Sequence, residues 1–266
     1  MRGRQKKFFI FVFLVAAILL IAGGVYRVLQ KTGEKPGRAK GKEIKRFSFS
    51  SAGELKAWDE KTLSQHGTDY SVTNFDGKNC VKAVSENSAS TLYYKQTLSC
   101  KARPFIKWDW KAEKFPAKKH KEALDEKEEF DFVAQVYVVF YARFFLNAKA
   151  IQYVWTRDLP VGDVSASPYT KNVKLLVLES GESETWKHEE RDIKKDFKEL
   201  FGEELDKDIT AISFMTDSDS AKSSAVAYYS DIAIGYLEGA PPVPEAEDKG
   251  KTDLENKKRK EPSLNT

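Results

Sequence analysis

Carboxylates and aromatic rings are the residues through which this chain could act on another molecule. Asp109 and Asp131 fall on neighbouring predicted strands. Two carboxyls about 5–10 Å apart across a cleft are what glycoside hydrolysis requires, one as acid and one as base or nucleophile. Asp217-Ser218-Asp219 follows an apolar strand and imitates the D-x-D of aspartate-nucleophile phosphatases. That motif should open an α/β domain, however, and here it lies near the end of a β-rich one. A calcium loop of the EF-hand type is excluded, because Ala221 takes the third ligand position and the required glycine is missing. A looser oxygen site for a structural calcium remains, with Asp231 in Tyr229-Ser230-Asp231-Ile232 as its candidate ligand. The alternative is that these acids cap turns.

Trp108, Trp110, Tyr137, Tyr141, Tyr153, Trp155, Tyr169 and Trp186 are enough rings to build a sugar-binding surface. Sugar rings stack on Trp and Tyr faces, while acids and amides bond the hydroxyls. The same residue types fill cores, and burial is the competing reading for each. Tyr137 and Tyr141 stand apart because they alternate with the apolar face of their strand. That alternation sets them with Gln135 and Asp131 on the opposite, concave side. The candidate ligand-binding set is therefore Asp131, Gln135, Tyr137, Tyr141 and Trp155.

Other chemistries have little support. His66, His120 and His188 are the only histidines, and none stands in H-E-x-x-H or at i, i+4 from another. No G-x-S-x-G occurs. Cys80 and Cys100 lie outside any C-x-x-C, and in an oxidising compartment they could form one disulfide.

The elements that must position these residues are mostly strands. Tyr70–Phe75 and Cys80–Val84 flank the turn signal Asp76-Gly77. Thr91–Leu98, Phe105–Ala112, Ile151–Trp155, Val173–Leu178, Ile209–Met215 and Ala225–Tyr236 follow the same pattern. Phe130–Ala142 is the longest, with Phe132, Ala134, Val136, Val138 and Phe140 on its core face. Helix signals are confined to Ala52–Lys56 and Asp192–Phe201, the latter stopped by Gly202. Charged, poorly periodic Lys114–Glu129 reads as a loop across the rim. Many strands without alternating helices indicate an all-β, jelly-roll-type β-sandwich of galactose-binding-like form. In such modules a calcium links the first strand to an Asp on the last, the place Asp231 holds here.

The sandwich is expected over residues 46–237. Ahead of it, Phe8–Val25 is unbroken and apolar, follows Arg2, Arg4, Lys6 and Lys7, and has Tyr26 at its end. Residues 1–30 read as one N-terminal transmembrane helix with the membrane as partner through residues 8–26. A cleaved signal peptide, with Ala22-Gly23-Gly24 as cleavage region, is the alternative. The basic head argues for a domain outside the cytoplasm, in a bacterial periplasm or envelope. The cations after the span pull toward a cytoplasmic-facing domain, and the sequence leaves that orientation open. Residues 31–45 form a basic linker suited to anionic lipid headgroups. Residues 238–266 are a charged tail with almost nothing to bury, expected to be disordered. The first 46 residues carry +10 and the tail −1, so the +4 of the whole chain leaves −5 for residues 47–237. That sign excludes nucleic acid as the domain's partner.

A further signal is the order of several short pieces. Ser88-Ala89-Ser90, Trp108-Asp109-Trp110, Phe130-Asp131-Phe132 continuing to Phe140, Tyr153-Val154-Trp155 and Ser167-Pro168-Tyr169-Thr170 come first. Arg191-Asp192-Ile193, Met215-Thr216-Asp217-Ser218-Asp219 and Ala227-Tyr228-Tyr229-Ser230-Asp231-Ile232 follow. In this order and spacing they resemble the bacterial family catalogued as domain of unknown function 3047, over roughly residues 47–236. The resemblance implies an exported protein and brings no activity with it. The family tends to show a paired Asp where this chain has Phe130-Asp131, and an Arg where it has Gln135. A site built on that acidic pair is altered here.

The expected function is non-catalytic binding of a carbohydrate or another polar envelope ligand. The alternatives are a glycan-active hydrolase using Asp109 and Asp131, and a structural or interaction protein of the envelope. No cofactor is implied beyond a structural calcium.

Overall fold

A computed structural model describes residues 41–141 and 148–238. Two β-sheets pack face to face. In chain order the strands are β1 (Gly41–Phe47), β2 (Asp59–Thr62), β3 (Asp69–Phe75), β4 (Lys78–Glu86), β5 (Ala89–Leu98), β6 (Pro104–Lys114) and β7 (Ala134–Phe140). They continue as β8 (Ala150–Thr156), β9 (Val164–Ser167), β10 (Thr170–Ser180), β11 (Lys187–Asp192), β12 (Ile209–Asp217) and β13 (Ser224–Leu237). The helices are α1 (Ala52–Leu55) and α2 (Ile193–Phe201). One sheet runs β11-β6-β13-β4-β3, with β1 pairing the second half of β13. The other runs β2-β5-β12-β7-β8-β10-β9. All pairings are antiparallel except β8 with β10.

Period-two alternation explains the core. Ile106, Trp108 and Trp110 of β6 face inward and meet Tyr153 and Trp155 of β8, with Trp110 and Trp155 ring centres 5.7 Å apart. Ala134, Val136, Val138 and Phe140 form the core face of β7 as expected, whereas Phe132, expected on the same face, packs with Leu124, Val154, Leu175 and Val177. Asp76 and Gly77 both take positive φ in the β3–β4 hairpin, the geometry an Asp-Gly turn supplies. The Asp192 carboxylate accepts from the N–H groups of Lys194 and Lys195 to start α2, and left-handed Gly202 ends it.

Some expectations need correction. The 31–45 linker is too long, because Gly41–Lys45 belong to β1. The strand predicted over 130–142 begins only at Ala134. Cys80 and Cys100 are free thiols, one buried in β4 and one in the turn after β5. β2 and β9 went unread, being short and charged or polar rather than apolar in alternation. The span at 8–26, the first part of the linker and the tail from 239 lie outside the described residues. Among the described residues no helix is long and apolar enough to cross a membrane.

Candidate functional site

The outer face of the seven-stranded sheet is covered on one side. Residues 115–133 cross it, and Leu124 and Phe132 pack on Val154, Leu175 and Val177. Two glutamates hold this cover in shape. Glu129 accepts from the N–H groups of Lys119 and His120. Glu122 accepts from those of Arg157 and Asp158. Toward β2 and β5 the face is less covered. One cross-strand row there reads Tyr93, Ser213, Tyr137 and Gln152. Both tyrosines are half-buried, while Gln152 is buried.

Where cover and sheet meet, at the ends of β12 and β7, three carboxylates converge. One ligand oxygen from each of Asp131, Asp217 and Asp219 lies within 4.8 Å of the others. Asp131 is fully buried and accepts from the N–H groups of Ser220 (3.2 Å) and Ala221 (2.6 Å). Asp217 accepts from the Phe132 N–H (2.8 Å) and Gln135 Nε2 (2.7 Å). Gln135 Oε1 in turn accepts from the Tyr137 hydroxyl (2.7 Å) and Gln152 Nε2 (2.8 Å). A polar relay thus runs from the sheet face into the acid cluster.

No ion pair involves these three acids among the described residues. Lys118, the cation that bears on Asp131, is held by Glu122 at 2.8 Å. Burial, and then the charge of Asp131, push the Asp217 carboxyl well above the usual range. Burial, and beyond it Asp219, raise Asp131 against its two N–H donors. The cluster is under-compensated at neutral pH, which a proton or a cation would relieve. A set of carboxylate oxygens is what a hard cation such as calcium takes, with carbonyls and water completing six to eight ligands. The residues fit such an ion.

Tyr169 stands at the tip between β9 and β10. Its side chain is 61% exposed, and its ring rests edge-on against Phe130 at 5.6 Å. Burial, and then the charges of Asp219, Asp131 and Asp217, raise its phenol.

The structure therefore brings together Asp131, Gln135 and Tyr137 of the expected set. It does not bring in the rest. Trp155 is fully buried, with its Nε1–H given to the Gly181 carbonyl at 2.9 Å, so it is a core residue and no ligand platform. Tyr141 is exposed at the other end of β7, where its N–H donates to the Asp208 carbonyl. Asp109 and Asp131 do not pair, because β6 and β7 lie in different sheets. Asp109 points outward between Lys78 and His188, whose Nδ1 lies 2.5 Å away. Asp231 sits at a β-bulge in β13 with φ 47°, between Arg46 (3.3 Å) and Lys78 (3.4 Å), outside the carboxylate cluster. Gln152 was missed, although a lone amide inside the apolar run Ile151–Trp155 was its signal.

Fold and site together define an all-β sandwich domain with an acidic, tyrosine-bordered end. The chain belongs to the family described as protein of unknown function (DUF3047), whose sequence profile matches residues 56–233. Among solved structures it is similar to a family 11 carbohydrate-binding module of a Clostridium thermocellum cellulosomal cellulase. That match has 10% identity and a TM-score of 0.38, and covers 76% of this chain and 99% of that one. It is also similar to the carbohydrate recognition domain of Emp46p, at 9% identity and TM-score 0.41, covering 74% and 98%. A third likeness is to the K3 adhesin domain of Lys-gingipain from Porphyromonas gingivalis, at 12% and 0.36, covering 73% and 99%. No curated protein matches the chain.

Proposed function

We propose that this domain is a non-catalytic binding module for a neutral, hydroxyl-rich ligand, a carbohydrate. The observation that carries the reading is the relay of Tyr137, Gln152 and Gln135 that joins the three-carboxylate cluster to the sheet face, with Tyr169 an exposed ring braced on Phe130. Phenol faces offer apolar surface to sugar C–H groups. Carboxylates and amides accept from hydroxyls. Three acids without an ion pair disfavour an anionic ligand.

Binding is favoured over hydrolysis by accessibility. Asp131 is fully buried, so the reacting atom of a substrate does not reach it from solvent. Consecutive strands that change sheets, from β4 through β5 and β6 to β7, support the jelly-roll form of the sandwich. In this reading the acid cluster holds a structural calcium, and residues 8–26 anchor the domain outside the cytoplasm next to anionic lipid.

The test is a glycan array probed with the whole chain in detergent, with calcium and with chelator. Saturable binding that Tyr137→Ala and Tyr169→Ala each weaken about tenfold or more, about 1.4 kcal/mol, is the expected outcome. Absence of binding to any glycan under either condition overturns the reading in favour of an envelope scaffold.

A further inference from the structure

Strand β11 closes one edge of the six-stranded sheet, and its inward face is anomalous. Its register on β6 pairs Lys187 with Trp110, Glu189 with Trp108 and Arg191 with Ile106. Directly paired residues share a face, so three ionisable side chains point where the neighbouring strand sends apolar ones. Two of them have partners. Arg191 grips Asp196 of α2 through two bonds of 2.8 and 2.6 Å, and Asp196 also accepts from Tyr153. Lys187 reaches Glu179 of β10 at 3.7 Å, across the gap between the sheets.

Among the described residues Glu189 has no such ion pair. Its Oε1 accepts from the Trp110 indole N–H at 3.3 Å. The charged groups that bear on it are Glu179 from β10, and Arg191 and Lys187 from its own strand. Removal from water, and then the negative charge of Glu179, outweigh the indole and the two cations and push the carboxyl up to about 8.

We propose that β11 is a proton-coupled edge strand, whose release from β6 frees Glu189 to ionise and bares the β6 edge. The closed form keeps the proton where the open form loses it. Closure is therefore strongest below the ordinary glutamate range, near 4.5, and is lost as pH rises to about 8. Above that pH both forms are ionised and the loss levels off.

Hydrogen exchange on the intact chain tests this, with rates corrected for intrinsic base catalysis. Amides of residues 187–192 should lose protection by up to about tenfold per pH unit between about 5 and about 8, then no further. Glu189→Gln should flatten that profile while leaving the amides of β12 unchanged. Glu179→Gln, which removes the facing charge, should bring the plateau in at lower pH. The same profile in Glu189→Gln as in the parent, or β12 losing protection in step with β11, overturns the proposal.

Discussion

Asp109 and Asp131 look alike in the sequence and live in opposite surroundings. Asp109, on the outer face of the six-stranded sheet, lies between Lys78 and His188, and Lys78 bridges on to Asp231 and from there to Arg46. Asp131, beneath the cover of the seven-stranded sheet, has two further carboxylates for neighbours and backbone N–H groups for donors. The first is a compensated surface network that ties strands together. The second concentrates carboxylates at a place bordered by tyrosines, where burial and neighbouring acids push Asp131 and Asp217 toward their neutral forms. Compensation, more than residue type, separates the acid that holds the sheet from the acids of the cluster.

The strongest way to break this comparison is Asp217→Ala. It strips a buried acceptor from the Phe132 N–H and from Gln135, and should cost about 3 kcal/mol in urea unfolding. Asp217→Asn, which keeps an acceptor and removes the charge, should cost far less. Calcium at about a hundred times its dissociation constant should stabilise the parent by about 2.7 kcal/mol, and chelator should reverse this. Asp219→Asn should abolish that calcium effect and Asp109→Asn should leave it intact. An equal response in both variants would erase the distinction. Asp109→Asn should itself cost about 1 kcal/mol, since Lys78 and His188 are partly exposed and the pairs are screened. Smallest of all, Tyr169→Ala should shift stability by less than about 0.5 kcal/mol, because its ring is exposed. Its effect belongs to ligand binding.

The sandwich was legible because its core strands obey a simple alternation, as in Ile106-Lys107-Trp108-Asp109-Trp110. The carboxylate cluster was half legible. Asp131, Gln135 and Tyr137 share a neighbourhood that one strand's pattern conveys. Asp217 and Asp219 stand roughly eighty-six residues further on, and only the β7–β12 pairing brings them close. Trp155 could not be sorted from Tyr169 by type, since burial is decided by which face of which sheet a neighbour covers. Asp109 was mispaired for the same reason: adjacency in sequence order does not say that the chain changes sheets between β6 and β7. Charged β11 hid its inward face, because Lys187, Glu189 and Arg191 break the apolar rule that reveals the others.

The central strand of the six-stranded sheet is β13, which pairs with β1, β4 and β6. It is also the latest of the described strands to leave the ribosome. Until it arrives, the hairpin of β3 and β4 has no link to β6, and β1 has no strand to pair with. The inner rings of Trp108 and Trp110 wait on a sheet without its middle. A growing chain therefore has every strand of the seven-stranded sheet before the facing sheet has its middle, and the long-range pairings of that facing sheet form late and together. Assembly of this domain is an event of completion, and a chain stopped short of Ser224 should leave the seven-stranded sheet without the intact face it packs against.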